Sequence, residues 1–310
     1  MLAFLFPGQA SQYVGMGRDL AAAFPEARET FQEADDVLGF ALSTLCFEGP
    51  EAELNLTANT QPAVLTHAVA AWRVLRRQGF APGIVAGHSL GEYSALVAAG
   101  VLDFADAVRV VRRRGQYMQE AVAPGVGAMA AVLKLDAQTV TALCAEAEQD
   151  GELCRPANFN APQQTVIAGH RPAVERATGL VRARKGRAIE LPVSAPFHCP
   201  LMKPAEEKLA RDLAELTFHP PQCAVVANVN AQPTTEAETA RANLIAQVCA
   251  PVQWVASVQT LVAQGTTAFV EVGPKTVLTG LVRQIVPEAV TFQVESPQTL
   301  ETFVAGMRLP

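Results

Sequence analysis

The feature that most narrows what this chain can fold into is Gly87-His88-Ser89-Leu90-Gly91, a G-x-S-x-G pentapeptide set between two segments of opposite character. The residues before it, Gly83-Ile84-Val85-Ala86, are short and apolar, as in a buried strand. The residues after it, Glu92 to Ala99, are rich in helix formers and stop at Gly100, a natural helix C-cap. Strand, sharp turn and helix make a nucleophile elbow, which lifts a serine hydroxyl to the rim of a parallel sheet. Glycines flank the serine because a tight turn has no room for neighbouring side chains. The helix N-terminus beyond it offers free backbone N–H groups to a developing oxyanion. The pentapeptide alone fits an ordinary glycine-rich connection equally well; its flanks favour the elbow.

At 310 residues the chain can bury a large core, and with half its residues hydrophobic and 17% charged it reads as compact rather than disordered. A net charge of −6 argues against a nucleic-acid partner, which needs a basic surface. No apolar run reaches the roughly 18 residues of a membrane span. The apolar Met1-Leu2-Ala3-Phe4-Leu5-Phe6 lacks a basic leader and reads as a first strand. The cysteines (Cys46, Cys144, Cys154, Cys199, Cys223, Cys249) are scattered without a C-x-x-C pair, as expected for reduced thiols of a cytoplasmic protein with no metal site.

Strand-like runs alternate with amphipathic stretches up to residue 122, which favours an α/β architecture with a parallel sheet covered by helices on both faces. Pro124-Gly125-Val126-Gly127 interrupts this. A β-α-β-β-α-β order follows: strand Met129–Leu133, helix Ala137–Gln149, strands Leu153–Asn158 and Gln164–Ala168, helix Pro172–Lys185, strand Ala188–Pro192. That order is ferredoxin-like. The expected organisation is an α/β-hydrolase-like unit of residues 1–125 and 195–310 with a small ferredoxin-like insert at 126–194, the main sheet resuming near 223–228 and 267–272.

A serine nucleophile needs a base. Alternation along the strand turns His88 away from Ser89. His67 and His170, within and at the start of helices, are expected at the surface or at caps, and His219 before Pro220-Pro221 in a loop. His198 lies in the proline-fixed Ala195-Pro196-Phe197-His198-Cys199-Pro200, where the chain re-enters the main unit. It is either a base held over a cleft or a structural histidine. No acid occupies an evident triad position. On the helix near 104–122, Phe104, Ala107, Val108, Val111, Gly115, Met118 and Val122 form an apolar stripe, and of its arginines only Arg114 borders that stripe closely. A half-buried Arg114 calls for an anion, supplied by a structural ion pair or by a substrate carboxylate gripped bidentately. Arg182, Arg184, Lys185 and Arg187 form a basic run that reads either as a solvated helix end or as a docking patch.

Phe6-Pro7-Gly8-Gln9, Gly87-His88-Ser89-Leu90-Gly91-Glu92, Arg114-Gly115-Gln116-Tyr117-Met118, Gly127-Ala128-Met129, Asn158-Phe159-Asn160-Ala161-Pro162, Ala195-Pro196-Phe197-His198-Cys199, Gln247 with Pro251-Val252-Gln253-Trp254, and Glu271-Val272-Gly273-Pro274 occur in one order along the chain. In this the whole sequence resembles the malonyl-CoA:acyl carrier protein transacylases. The resemblance implies Ser89 as acylated nucleophile, His198 as general base and the backbone carbonyl of Gln247 in place of a triad acid. It implies an oxyanion hole from the backbone N–H groups of Gln9 and Leu90, Arg114 on the malonyl carboxylate, and Met118, Asn160 and Phe197 around the acyl group. Malonyl-CoA and a phosphopantetheinylated acyl carrier protein are then the expected substrates of a monomer that binds no cofactor, no metal, no nucleic acid and no membrane. One departure stands out: the family commonly has glycine after the loop glutamine, where this chain has Ala10. The elbow alone leaves a serine esterase or thioesterase, and a non-catalytic carrier-docking module, as alternatives.

Overall fold

The computed structural model describes residues 1–193 and 195–308. Its strands are β1 (Leu2–Phe6), β2 (Ile84–Gly87), β3 (Gly127–Leu133), β4 (Cys154–Ala161), β5 (Gln164–His170), β6 (Arg187–Glu190), β7 (Ala224–Val226), β8 (Pro233–Thr234), β9 (Ala268–Val272) and β10 (Val290–Val294). They form two sheets. The larger runs β10-β9-β1-β2-β7-β8, parallel throughout except for β8, which pairs antiparallel with β7. The smaller runs β4-β5-β3-β6 and is antiparallel, with its elements in the β-α-β-β-α-β order read from the sequence.

The central strands are apolar throughout because both faces of the larger sheet are covered. On one face Phe4, Phe6 and Val85 meet the helix Thr57–Arg77. On the other, Ala3, Leu5, Ile84 and Ala86 pack with Trp254, Val258 and Leu261 of the helix Trp254–Ala263. The smaller sheet buries one face under the helices Ala137–Ala147 and Arg171–Ala183, where Ala128, Ala130 and Val132 join Val140, Leu143, Val174 and Val181. The side-chain period of 2 turns Met129 to the opposite face, into the core of the larger unit. Two backbone hydrogen bonds tie the smaller sheet to the segment leading into the helix Trp254–Ala263: Val252 N–H donates to Ala157 O (2.9 Å) and Phe159 N–H to Val252 O (2.9 Å).

Strand β10 went unread in the sequence; its VTFQV is only partly buried at the sheet edge, so no clean apolar run marks it. The expected boundary at Ser194 lies outside the described residues. Chain packing is tightest where β1 ends beside the elbow. A Cβ on Gly91 would lie 1.9 Å from Phe6 O, and one on Gly87 would lie 1.9 Å from Gly91 O. We expect Gly91→Ala to cost about 3 kcal/mol or more, since backbone rather than a flexible side chain must give way. Urea unfolding of the variant measures this, and a loss under about 1 kcal/mol would show that the contact relaxes.

Candidate active site

The elbow has the geometry its sequence demands. Ser89 sits between β2 and the helix Gly91–Ala98 with φ of 51°, in the left-handed region that non-glycine residues seldom adopt. Fixed hydrogen bonds hold it there. Ser89 N–H donates to Asn228 Oδ1 (2.6 Å), Asn228 Nδ2 donates to Gly87 O (2.6 Å), and Gln247 Nε2 donates to Ser89 O (3.1 Å). Asn228 therefore staples both ends of the turn from just beyond β7. Gln9, Ser89 and Asn228 follow β1, β2 and β7, so the site lies at the carboxyl ends of the parallel strands.

His198, 109 residues further on, places Nε2 2.7 Å from Ser89 Oγ. Its Nδ1–H donates to the backbone carbonyl of Gln247 at 2.9 Å, an orientation that leaves Nε2 free to accept the serine proton. This carbonyl is available because Gln247 ends the helix Ala237–Gln247, whose final carbonyls have no partner within the helix. His198 also has a positive φ, 59°. Burial and the neighbouring Arg114 charge push its pKa down to about 3, so the imidazole is neutral at physiological pH.

Arg114 is more deeply placed than its helical position suggested: it is 1% exposed rather than half-buried, because the helix Thr57–Arg77 packs over its flank. Its guanidinium donates to Gln61 Oε1 (2.8 Å), Gln247 Oε1 (3.0 Å) and Ser89 Oγ (3.2 Å) and lies 5.6 Å from the Tyr93 ring centroid. Arg114 Nε has no partner, and among the described residues no acidic group lies in ion-pair contact with Arg114. A buried cation served only by neutral acceptors is incomplete without an anion.

The cavity in front of these groups has a volume of about 140 Å³; Gln9, Leu90, Arg114, Met118, Phe197 and His198 contribute to its wall with Ser89. The backbone N–H groups of Gln9 and Leu90 donate to no group among the described residues. Leu90 stands at the N-terminus of the elbow helix, and Gly8 lets the Gln9 loop close on the turn, since a Cβ there would lie 2.4 Å from His88 O. Ala10 takes the positive φ (81°) that glycine favours, at an expected cost on the order of 1 kcal/mol. The expected wall residue Asn160 is instead engaged by His88, whose Nε2 is 2.8 Å from Asn160 Oδ1, and Asn158 joins the cavity wall. Register shifts in β4 between Pro156 and Asn158 and between Phe159 and Ala161 break the simple alternation that would have aimed both side chains alike.

A family model described as "acyl transferase domain" matches residues 3–301. The malonyl CoA-acyl carrier protein transacylase of Escherichia coli (strain K12) is 51% identical over 300 residues, covering 96% of this chain and 97% of that protein. That of Bacillus subtilis (strain 168) is 45% identical over 99% of this chain and 97% of its own length. The chain belongs to this acyl transferase family. Among solved structures, an acyl carrier protein S-malonyltransferase from Vibrio cholerae superposes with a TM-score of 0.95 at 47% identity, covering 97% of this chain and 99% of that one. A malonyl-transacylase solved in complex with a type II polyketide synthase acyl-carrier protein superposes with a TM-score of 0.96 at 48% identity, covering 98% of this chain and 99% of that one.

Within this family fold, sequence reasoning missed three side chains that complete the site: Gln61, Asn228 and Glu92. Glu92 follows Ser89 by one helical turn and is 2% exposed. Its Oε2 accepts from Gln247 Nε2 (2.7 Å) and Asn228 N–H (3.0 Å), and burial raises its pKa to about 7. The one-turn spacing from the nucleophile was the available signal. The exposed run Arg182, Arg184, Lys185 and Arg187 forms no ion pair among the described residues. No helix among the described residues is long and apolar enough to cross a membrane.

His67, expected at a surface or cap, is fully buried, with Nε2 3.0 Å from Glu295 O, because its helix is covered nearly all round. Burial holds the His67 pKa below the ordinary imidazole value. Below about pH 6.5 the unfolded chain takes up a proton at this residue that the folded chain refuses, so acidification costs the folded state stability. Relative to wild type, His67→Gln should gain up to about 1.4 kcal/mol for each pH unit below that point, read from urea unfolding at stepped pH. A pH-independent difference between the two proteins would contradict the neutral buried histidine.

Proposed function

We propose that the chain transfers a malonyl group from malonyl-CoA to the phosphopantetheine thiol of an acyl carrier protein, through a malonyl-serine at Ser89. The observation that carries this reading is the buried Arg114 beside Ser89 Oγ with no anion of its own. The cargo's free carboxylate supplies that anion, and the guanidinium fork suits it bidentately.

The steps follow from the distances. His198 Nε2 accepts the Ser89 proton as Oγ attacks the thioester carbonyl. The oxyanion sits on the free N–H groups of Gln9 and Leu90, each such donor being worth roughly 3 kcal/mol in the transition state. The C–S bond breaks, His198 returns the proton to the coenzyme A sulfur, and a serine ester remains. The carrier's thiol then gives its proton to His198 and attacks the ester carbonyl; the C–Oγ bond breaks and His198 hands the proton back to Oγ, restoring Ser89. His198 begins as a weak base because burial, and then the facing Arg114 charge, disfavour its protonation. A bound carboxylate offsets that charge and strengthens the base when cargo is present. Thioester, ester and thioester follow one another near energetic balance, so the exchange requires no energy-supplying nucleotide. Reduced, largely buried cysteines suit a cytoplasmic location. Both fatty-acid and polyketide assembly use such a transfer.

Ser89→Ala should abolish the one-malonyl mass increase seen after incubation with malonyl-CoA, and a persisting adduct would remove Ser89 from the mechanism. Arg114→Ala should lower kcat/KM for malonyl-CoA by about a hundredfold or more while acetyl transfer is kept or rises. An unchanged malonyl preference would contradict the carboxylate role. We infer that Arg182, Arg184, Lys185 and Arg187 form the carrier-docking face. Reversing their charges should raise KM for the carrier and leave KM for malonyl-CoA unchanged, whereas an unaltered carrier KM would place docking elsewhere.

A further inference from the structure

Two buried ionisable side chains, Arg114 and Glu92, flank Ser89 without meeting, and the side-chain amide of Gln247 stands between them. Gln247 Oε1 accepts from Arg114 Nη2 at 3.0 Å, while Gln247 Nε2 donates to Glu92 Oε2 at 2.7 Å and to Ser89 O at 3.1 Å. An amide has one accepting end and one donating end. Turned over, this one would aim N–H groups at the guanidinium and its oxygen at two acceptors. Which way it points therefore decides whether Arg114 is supported or repelled.

We propose that Glu92 is a positioning residue for substrate selection: by accepting from Gln247 Nε2 it fixes the amide so that Oε1 holds Arg114 in the pose that takes the malonyl carboxylate. Glu92 is itself pinned, since the same Oε2 accepts the Asn228 N–H at 3.0 Å. Because both donors share Oε2, the arrangement is compatible with a proton on Oε1. Glu92 touches none of the reacting atoms; its effect passes through Gln247 to Arg114. The inference rests on the malonyl-transfer reading and names a determinant of that reaction's selectivity.

The test compares malonyl-CoA with acetyl-CoA on the full chain, reading kcat/KM for each per serine able to be acylated. The malonyl-to-acetyl ratio in Glu92→Ala should fall by roughly tenfold or more, the scale of a lost hydrogen bond to a charged group. In Glu92→Gln, whose carbonyl oxygen can accept the same two N–H groups, the ratio should stay within about threefold of wild type. Gln247→Met keeps the backbone carbonyl that holds His198 and removes the amide. Its ratio should fall as far as that of Glu92→Ala, and the double variant should fall no further, as for two residues acting in one chain. A merely structural Glu92 would reduce both substrates in parallel and leave the ratio alone; that result, or failure of Glu92→Gln to restore the ratio, overturns the proposal. If Glu92→Ala does not fold, Gln247→Met decides, and an unchanged ratio there overturns it too. A wild-type protein that forms no malonyl-serine would instead refute the malonyl-transfer reading, an outcome distinct from unaltered ratios in an active enzyme.

Discussion

The last residue of one helix touches Ser89, His198 and Arg114, the groups proposed to carry the reaction. Gln247 ends Ala237–Gln247, and helix termination leaves its carbonyl without a partner in the helix, so it can accept from His198 Nδ1. The negative end of the helix dipole also favours the imidazolium that forms when His198 takes a proton. A carboxylate in this position would do the same electrostatic work more strongly, but it would add a negative charge beside the Glu92 carboxyl and rival the substrate carboxylate proposed for Arg114. The helix terminus orients the base without that competition. From the same residue, the side-chain amide reaches Arg114, Ser89 O and Glu92. Base, nucleophile and cation are thus indexed to a single Cα.

That indexing requires an elbow that stays strained. Ser89 and His198 both occupy the left-handed backbone region, conformations that persist only when the surroundings over-determine them. Asn228 provides this for the serine turn, and the glycines at 87 and 91 remove the Cβ atoms that would push β1 and the elbow helix apart. Larger-sheet packing supplies the remaining rigidity, since the residues flanking the turn descend from strands buried on both faces.

Much of this was legible in the sequence, and the exceptions have physical reasons. The elbow and the β-α-β-β-α-β order are local patterns, readable from turn residues and from a switch in hydrophobic period. Arg114 was placed on the correct side of its helix by angular position alone, but its depth depends on the helix Thr57–Arg77 lying across it, a tertiary fact. His67 was misjudged for the same reason: that helix is buried on nearly every face, so its polar residues carry no amphipathic signature. Asn228 was invisible because its role is set by a partner 139 residues away, and for Glu92 only the one-turn spacing from Ser89 was readable, its partner Gln247 lying 155 residues on. Asn160 illustrates a different limit. Its strand obeys the alternation rule except at its register shifts, and no residue type in Asn158-Phe159-Asn160 announces a shift.

The two backbone hydrogen bonds between Val252 and the stretch Ala157–Phe159 have a consequence for cargo size. They stitch the floor of the smaller sheet to the larger unit within a residue of Asn158 in the cavity wall, so main chain sets the span of the chamber on that side. Accommodating a branched or longer acyl group is then a matter of trimming individual side chains such as Met118, Met129 or Phe197 from a frame of fixed width.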